Sequence, residues 1–320
     1  MGATHLKAFS AIDGVEVGAI STSNPRSLEG DLSHIRGNLG RETGVYDFSK
    51  TRKYQHWREL LTDPELDAVD ICLPTDLHVE ASQIALKAGK HVLCEKPMAL
   101  SAEGCDQMIA AAKDNDRTLM IAQVLRFWPE YKFLEQFVRG GEYGKIKNAT
   151  FVRRCGIPDW SKWLPHQERS GGALLDLLVH DIDQILFLFG MPAKVAAKSL
   201  GEIDTVSATC LYDGGPEVRL QGGWFSPETP FAMGFQVRAE KAELELTPDG
   251  LTLNAESGQK KISPEGPDGY EAETAYFVEC CRSHKRPERC LPEDSANAVR
   301  LALAMKKSRD EGGKQIACQS

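Results

Sequence analysis

The feature that most constrains this chain is a change of rhythm near residue 124. Before it, short apolar runs alternate with longer amphipathic stretches. Residues 15–20, 68–73, 91–94 and 119–122 read as strands, and 57–61, 75–88 and 101–115 as helices. Asp63-Pro64 ends the first helix, Gly89 stops the second, and Ser101 is the candidate N-cap of the third. Strands that lack polar alternation and are separated by helices predict a parallel sheet covered on both faces. After Arg126 the rhythm differs. A helix over 129–140 has Pro at its start and Gly at its end, and 147–154 reads as a strand. An almost wholly apolar helix over 172–189 follows, then strand-like runs at 193–200, 206–212, 217–224, 234–239, 242–246 and 251–255. Asp213-Gly214-Gly215 and Pro248-Asp249-Gly250 separate some of these as turns. Strands in succession predict an antiparallel sheet. Helices over 270–283 and 293–311 close the chain. The expected architecture is α/β: a Rossmann-like doubly wound domain over 1–124, then an α+β domain with a large open, mainly antiparallel sheet over 125–320.

A length of 320 residues supports two domains, at about 150 residues each, with cores that need no staples. The net charge of −8 disfavours nucleic acid and anionic membranes as partners. The most apolar run, 173–189, is interrupted by Asp176, His180, Asp181 and Asp183, so no membrane span is expected. No secretion signal opens the chain. Met1-Gly2 begins like a myristoylation signal, but Leu6 stands where Ser or Thr is required. Nine cysteines, an odd number without a Cys-x-x-Cys pair, read as free thiols in a reducing cytoplasm.

Three segments carry chemistry. Leu73-Pro74-Thr75-Asp76-Leu77-His78 and Cys94-Glu95-Lys96-Pro97 both end predicted strands, where doubly wound sheets bind ligands. Gly171-Gly172 opens the third, in which Asp176 and His180 stand four apart and are expected to share a helix face. Polar residues in so apolar a helix need a reason. A satisfied polar pair in the core is one, and a surface role is the common fate of a lone Lys. A metal site from Asp176, His180 and Asp183 is another, but no further ligand cluster accompanies them and no metal is expected.

Together, the Glu-Lys-Pro strand end, the Gly-Gly-x-x-x-Asp-x-x-x-His segment about 80 residues later and the order of domains resemble the glucose-fructose oxidoreductase / inositol dehydrogenase / rhizopine catabolism (Gfo/Idh/MocA) family. The resemblance covers nearly the whole chain. It implies an NAD(P)-dependent oxidoreductase for sugars, cyclitols or related polyols, with Lys96, Asp176 and His180 as its catalytic group. A histidine titrating near working pH suits the base that takes the hydroxyl proton. Lys96 would stabilise charge on the oxygen, and Asp176 would orient substrate or share the proton network.

The resemblance further places Pro74, Thr75, His78, Glu95, Lys96, Pro97 and Gln123 along the cofactor. Arg126 is a candidate contact to cofactor or substrate, and Trp160, Trp163 and His166 are candidate substrate contacts through ring stacking. The family's Gly-x-Gly-x-x-Gly fingerprint survives only at its end, as Gly2, with His5 following. The first strand and first two glycines are absent, so the expectation is a chain starting late, with neighbouring strands short of a ladder partner. Beyond the next strand, Thr22 and Arg26 replace the usual acid, which favours NADP slightly over NAD. Ala239 and Ala242 stand where relatives often have Gly near a turn. A homo-oligomer, dimer or tetramer, is expected through the open sheet. Two rivals remain on the same fold: an NAD-retaining glycosidase working by oxidation and elimination, and a non-catalytic relative that binds cofactor or sugar.

Overall fold

The computed structural model describes residues 1–35 and 44–318. Helix α1 (Gly2–Ser10) leads to strand β1 (Ala19–Ser21), α2 (Pro25–Leu28), β2 (Arg52–Tyr54), α3 (Trp57–Leu61), β3 (Ala68–Ile71), α4 (His78–Lys87), β4 (His91–Glu95), α5 (Ala102–Asp114) and β5 (Leu119–Ala122). Every ladder here is parallel, as the unalternating runs predict. Ser101 caps α5 by accepting a hydrogen bond from the Gly104 amide at 3.1 Å. The parallel strands form two sheets, β1-β2 and β3-β4-β5, with no ladder from β1 to β3 among the described residues.

The second half runs through α6 (Pro129–Arg139), β6 (Ile146–Gly156), α7 (Gln167–Ser170), α8 (Gly172–Asp176), α9 (Val179–Phe189), β7 (Lys194–Lys198), β8 (Asp204–Leu211), β9 (Glu217–Phe225), β10 (Ala232–Ala239), β11 (Ala242–Thr247), β12 (Gly250–Ala255), β13 (Gly258–Ile262), α10 (Gly269–Ser283), α11 (Pro292–Asp310) and β14 (Ile316–Ala317). One nine-stranded sheet results, ordered β13-β12-β11-β10-β6-β9-β8-β7-β14. Only the β6–β9 ladder is parallel. Strands β2 and β13 are too polar to read from sequence, and β14 is only two residues long.

Residue 124 divides the chain less cleanly than the sequence suggests. On one face of the parallel sheet, Val92, Cys94, Leu119 and Ile121 pack with Ala85 and Leu86 of α4 and with Cys105 and Met108 of α5. On the other, Leu93, Met120 and Ala122 pack with Phe277 of α10 and with Phe9 of α1. The cover on that face therefore comes largely from late in the chain. Helix α11 in turn contacts α5 and β5 as well as α9 and β7. No helix among the described residues is long and apolar enough to cross a membrane.

Candidate active site

The single helix expected over 172–189 is two helices. The Leu178 amide reaches back to the Ala173 carbonyl at 2.9 Å, one residue further than the α-helical bond, and the chain turns before α9 starts. Asp176 and His180 thus lie on different helices rather than on one face. Gly171 and Gly172, at φ 78° and 74°, set the start of α8. A Cβ on the first would lie 2.4 Å from Leu175, and on the second 2.5 Å from Asp204. With that space open, the Ala173 amide donates to Asp204 Oδ2 at 2.7 Å, and Arg309 holds the other oxygen at 2.6 Å. The end of α8 is fixed by this anchorage.

There Lys96 meets it from the end of β4. Its Nζ donates to the Asp176 carbonyl oxygen at 2.6 Å and stands 3.5 Å from Asp176 Oδ1. Both side chains are 16% exposed, so the pair faces a partly open space. His180 lies close enough for Lys96 to act on it. Burial first, then the charges of Lys96 and Arg153, hold its imidazole well below the ordinary histidine value. Its Nδ1 is buried without a hydrogen-bond partner. The structure therefore brings together an ammonium, a carboxylate and a neutral imidazole.

Two other acids of the same segment are spent on structure. Asp181 receives two bonds from Arg153, at 2.6 and 3.2 Å. Asp183 receives two from Arg126, at 2.8 and 2.7 Å. Arg126 also donates to the Arg289 carbonyl at 2.7 Å and to Asp294 at 3.0 Å. Its guanidinium is 1% exposed and makes these four bonds, so it fastens the junction. His78 is 1% exposed, with Nδ1 2.9 Å from the Pro97 carbonyl oxygen and Nε2 2.8 Å from the Leu73 carbonyl oxygen, between the two strand-end loops.

Gln123 is buried, with its amide group 3.4 Å from Ser295 and its oxygen unpartnered. Thr75 and Pro97 are buried and Pro74 half-buried beside them. Trp160 and His166 are exposed and Trp163 half-buried. Their loop leads into α7, which is fastened to the first half by Arg169 donating to Asp76 at 2.9 Å. Arg26 is more than half exposed and donates to Asp31 at 2.6 Å, while Thr22 Oγ1 accepts from the Asn24 amide.

Sequence reasoning passed over one cluster. His5 of α1 is wholly buried, with Nδ1 3.0 Å from Asp70 Oδ1 and Nε2 3.2 Å from Glu95 Oε1. Burial presses Glu95 upward, but His5 and Lys96 outweigh it and hold the carboxyl at about 2. Cys72 Sγ adjoins both His5 and Asp70. Glu273 of α10 is buried nearby with neither oxygen bonded. The available signal was a charged Asp70 within an apolar strand.

Comparisons with known proteins agree with this architecture. Residues 1–123 match the family model for an oxidoreductase family with an NAD-binding Rossmann fold, and residues 131–245 match the GFO/IDH/MocA C-terminal domain. The chain belongs to the Gfo/Idh/MocA oxidoreductase family. Relatives in it include an uncharacterized oxidoreductase of Bacillus subtilis (strain 168), 27% identical over 79% of this chain and 78% of its own. Another is 1,5-anhydro-D-fructose reductase of Ensifer adhaerens, 28% identical over 79% and 80%. A levoglucosan dehydrogenase solved with NADH and levoglucosan shares the fold at TM-score 0.85 and 19% identity, over 100% of this chain and 97% of that one. For a Gfo/Idh/MocA protein the cofactor is a nicotinamide dinucleotide, and the residues present fit one. The first turn of α1 carries no side-chain cap, and its Thr4 and His5 amides bond the Met1 carbonyl, which leaves the Gly2 and Ala3 amides as the ones to face a phosphate. His180 Nδ1 is buried and unpartnered near Lys96.

Proposed function

We propose that this protein is an NAD(P)-dependent dehydrogenase or reductase that interconverts a secondary alcohol and a ketone on a sugar, cyclitol or related polyol. The observation that carries the reading is the convergence of Lys96, Asp176 and His180 in a partly open space beside the end of β4. The nicotinamide, when bound, supplies the hydride acceptor. Gly2 and the opening turn of α1, with Pro74, Thr75, Glu95, Pro97 and Gln123, would hold the dinucleotide. Trp160, Trp163 and His166 would border the polyol.

In oxidation the hydroxyl hydrogen must leave as a proton. His180, neutral at working pH, takes it. Lys96 places its charge against the oxygen as negative charge develops there, and Asp176 holds the ammonium in place through its backbone carbonyl. In reduction the same imidazole, once protonated, returns the proton. Ser21, Thr22 and Ser23 offer hydroxyls and no carboxylate, which suits a 2′-phosphate. Asp31 offsets the Arg26 charge, so the preference for NADP is slight. Thr22→Asp should move preference towards NAD; an unchanged ratio of the two specificity constants removes Thr22 from the argument.

A second copy is expected against the open face of the nine-stranded sheet, to be read by light scattering. The decisive experiment assays a panel of sugars and cyclitols with both cofactors, following reduced-nicotinamide absorbance. Turnover of at least one polyol, lost in Lys96→Ala and His180→Ala with cofactor binding kept, is the expected result. A released aglycone without net cofactor reduction would replace this reading with the glycosidase. Cofactor binding without turnover on any substrate would replace it with a non-catalytic role.

A further inference from the structure

We propose that His5, Asp70 and Cys72 form a binding site for a divalent transition-metal ion of the zinc class, tying α1 to β3. Asp70 and Cys72 are two apart in extended chain and so project to the same side, where α1 lays His5 over them. His5 Nδ1 is 3.0 Å from Asp70 Oδ1, Cys72 Sγ is 3.7 Å from that nitrogen, and Cys72 Sγ is 3.4 Å from Asp70 Oδ2. A tetrahedral zinc, with bonds of about 2.0–2.3 Å, sets neighbouring donors about 3.3–3.6 Å apart. The three donors already stand close to that spacing. Imidazole, thiolate and carboxylate together suit zinc or cobalt(II) and not magnesium or calcium, which take oxygen ligands.

Two further observations point to a cation. The other nitrogen of His5 is buried without a hydrogen bond, 3.2 Å from Glu95 Oε1, on the side where a metal-bound histidine commonly has a carboxylate. Glu273 is wholly buried with neither oxygen hydrogen-bonded, within charge–charge range of His5, Glu95 and Asp70. Its oxygens lack a hydrogen-bond partner, and it stands outside the three-donor cluster. Binding replaces the thiol proton of Cys72 and any proton on His5 Nδ1 with the metal and leaves the reactive end, at Lys96, unaltered. The three donors do not include Lys96, Asp176 or His180, so a metal titration succeeds or fails apart from the catalytic reading.

The test is titration of the chelator-stripped full chain with cobalt(II) chloride and then zinc chloride. One equivalent of cobalt should bind with a thiolate-to-cobalt charge-transfer band, zinc should displace it, and zinc should raise the melting temperature. Cys72→Ser should abolish the band, and His5→Gln should weaken binding at least 10-fold. In the unaltered protein, zinc should slow alkylation of Cys72, read by mass spectrometry of the labelled peptide; this measurement needs no variant to fold. No charge-transfer band, a band that survives Cys72→Ser, or alkylation of Cys72 at the same rate with zinc present each overturns the proposal and leaves His5 as a bridge between two carboxylates.

Discussion

Two sets of polar side chains within residues 176–183 meet opposite fates. Asp181 and Asp183, each at most 1% exposed, grip an arginine with two hydrogen bonds apiece. Asp176 and His180 are looser. The Asp176 carboxylate stands 3.5 Å from Lys96, and His180 keeps an unbonded nitrogen. A buried ion pair is tolerable only when its bonding capacity is filled, and once filled it has nothing to offer a ligand. Chemistry belongs to the second set because its bonding is incomplete and space adjoins it. Burial and charge in one apolar segment therefore serve as framework or as site according to how far each group is satisfied.

The sharpest way to break this distinction is to delete from the loose set. Lys96→Ala and His180→Ala should each lower turnover about 10²–10⁴-fold, the range for a lost general base or charge-stabilising donor. The melting temperature should move by only a few degrees, since Lys96 gives up one partly exposed bond and His180 leaves one nitrogen unbonded. Steady-state rates beside thermal scans decide it. Rates kept in both variants would show that Lys96 and His180 are themselves framework.

Deletion from the tight set should invert the pattern. Asp183→Asn strands the Arg126 charge in the interior and should cost about 3–5 kcal/mol of stability, read by urea denaturation. Asp294 also pairs with Arg126, at 3.0 Å, but is 38% exposed. Asp294→Asn should therefore cost only about 1 kcal/mol or less. Equal losses would mean that depth of burial does not separate the two partners. In both variants the turnover of the folded protein should stay within a few-fold of the original.

Much of this was legible in the sequence, and the gaps have physical causes. Strand β5 and helix α3 lie where apolar run length and flanking residues put them, because a fully buried strand has no freedom in its composition. The pairing of Lys96 with Asp176, 80 residues apart, came through family resemblance and not from periodicity. Periodicity in fact misled at 172–189, because Leu177 and Leu178 are apolar whether a helix continues or breaks. The partners of Arg126 and His78 were invisible because sequence shows a polar residue near a strand end but not how many bonds it makes. Glu273 was invisible for a related reason. On an amphipathic helix a glutamate reads as solvent-facing, and only the packing of α10 onto the parallel sheet buries it.

The smallest effect sharpens the comparison most, because it sets the two regions against each other at one atom group. Burial, Lys96 and Arg153 lower the His180 pKa, in that order. Its folded value is below the unfolded one, so the stability linked to neutral His180 is fully present above the ordinary value of about 6.5 and is lost as pH falls through the folded value. In alcohol oxidation the acid limb should accordingly lie below pH 6.5. Lys96→Met removes the second contribution and should raise the midpoint, with burial still keeping it under the ordinary value. Asp181→Asn should do the reverse, because it leaves the Arg153 charge uncompensated and lets it act harder on the imidazole. A ring-proton NMR titration of His180 reads both without requiring turnover. Shifts of opposite sign, each under about one unit, would show that the tight pair shields the site from its own arginine. A midpoint unmoved by either change would mean that burial alone sets the base and that the framework charges are electrically irrelevant to it.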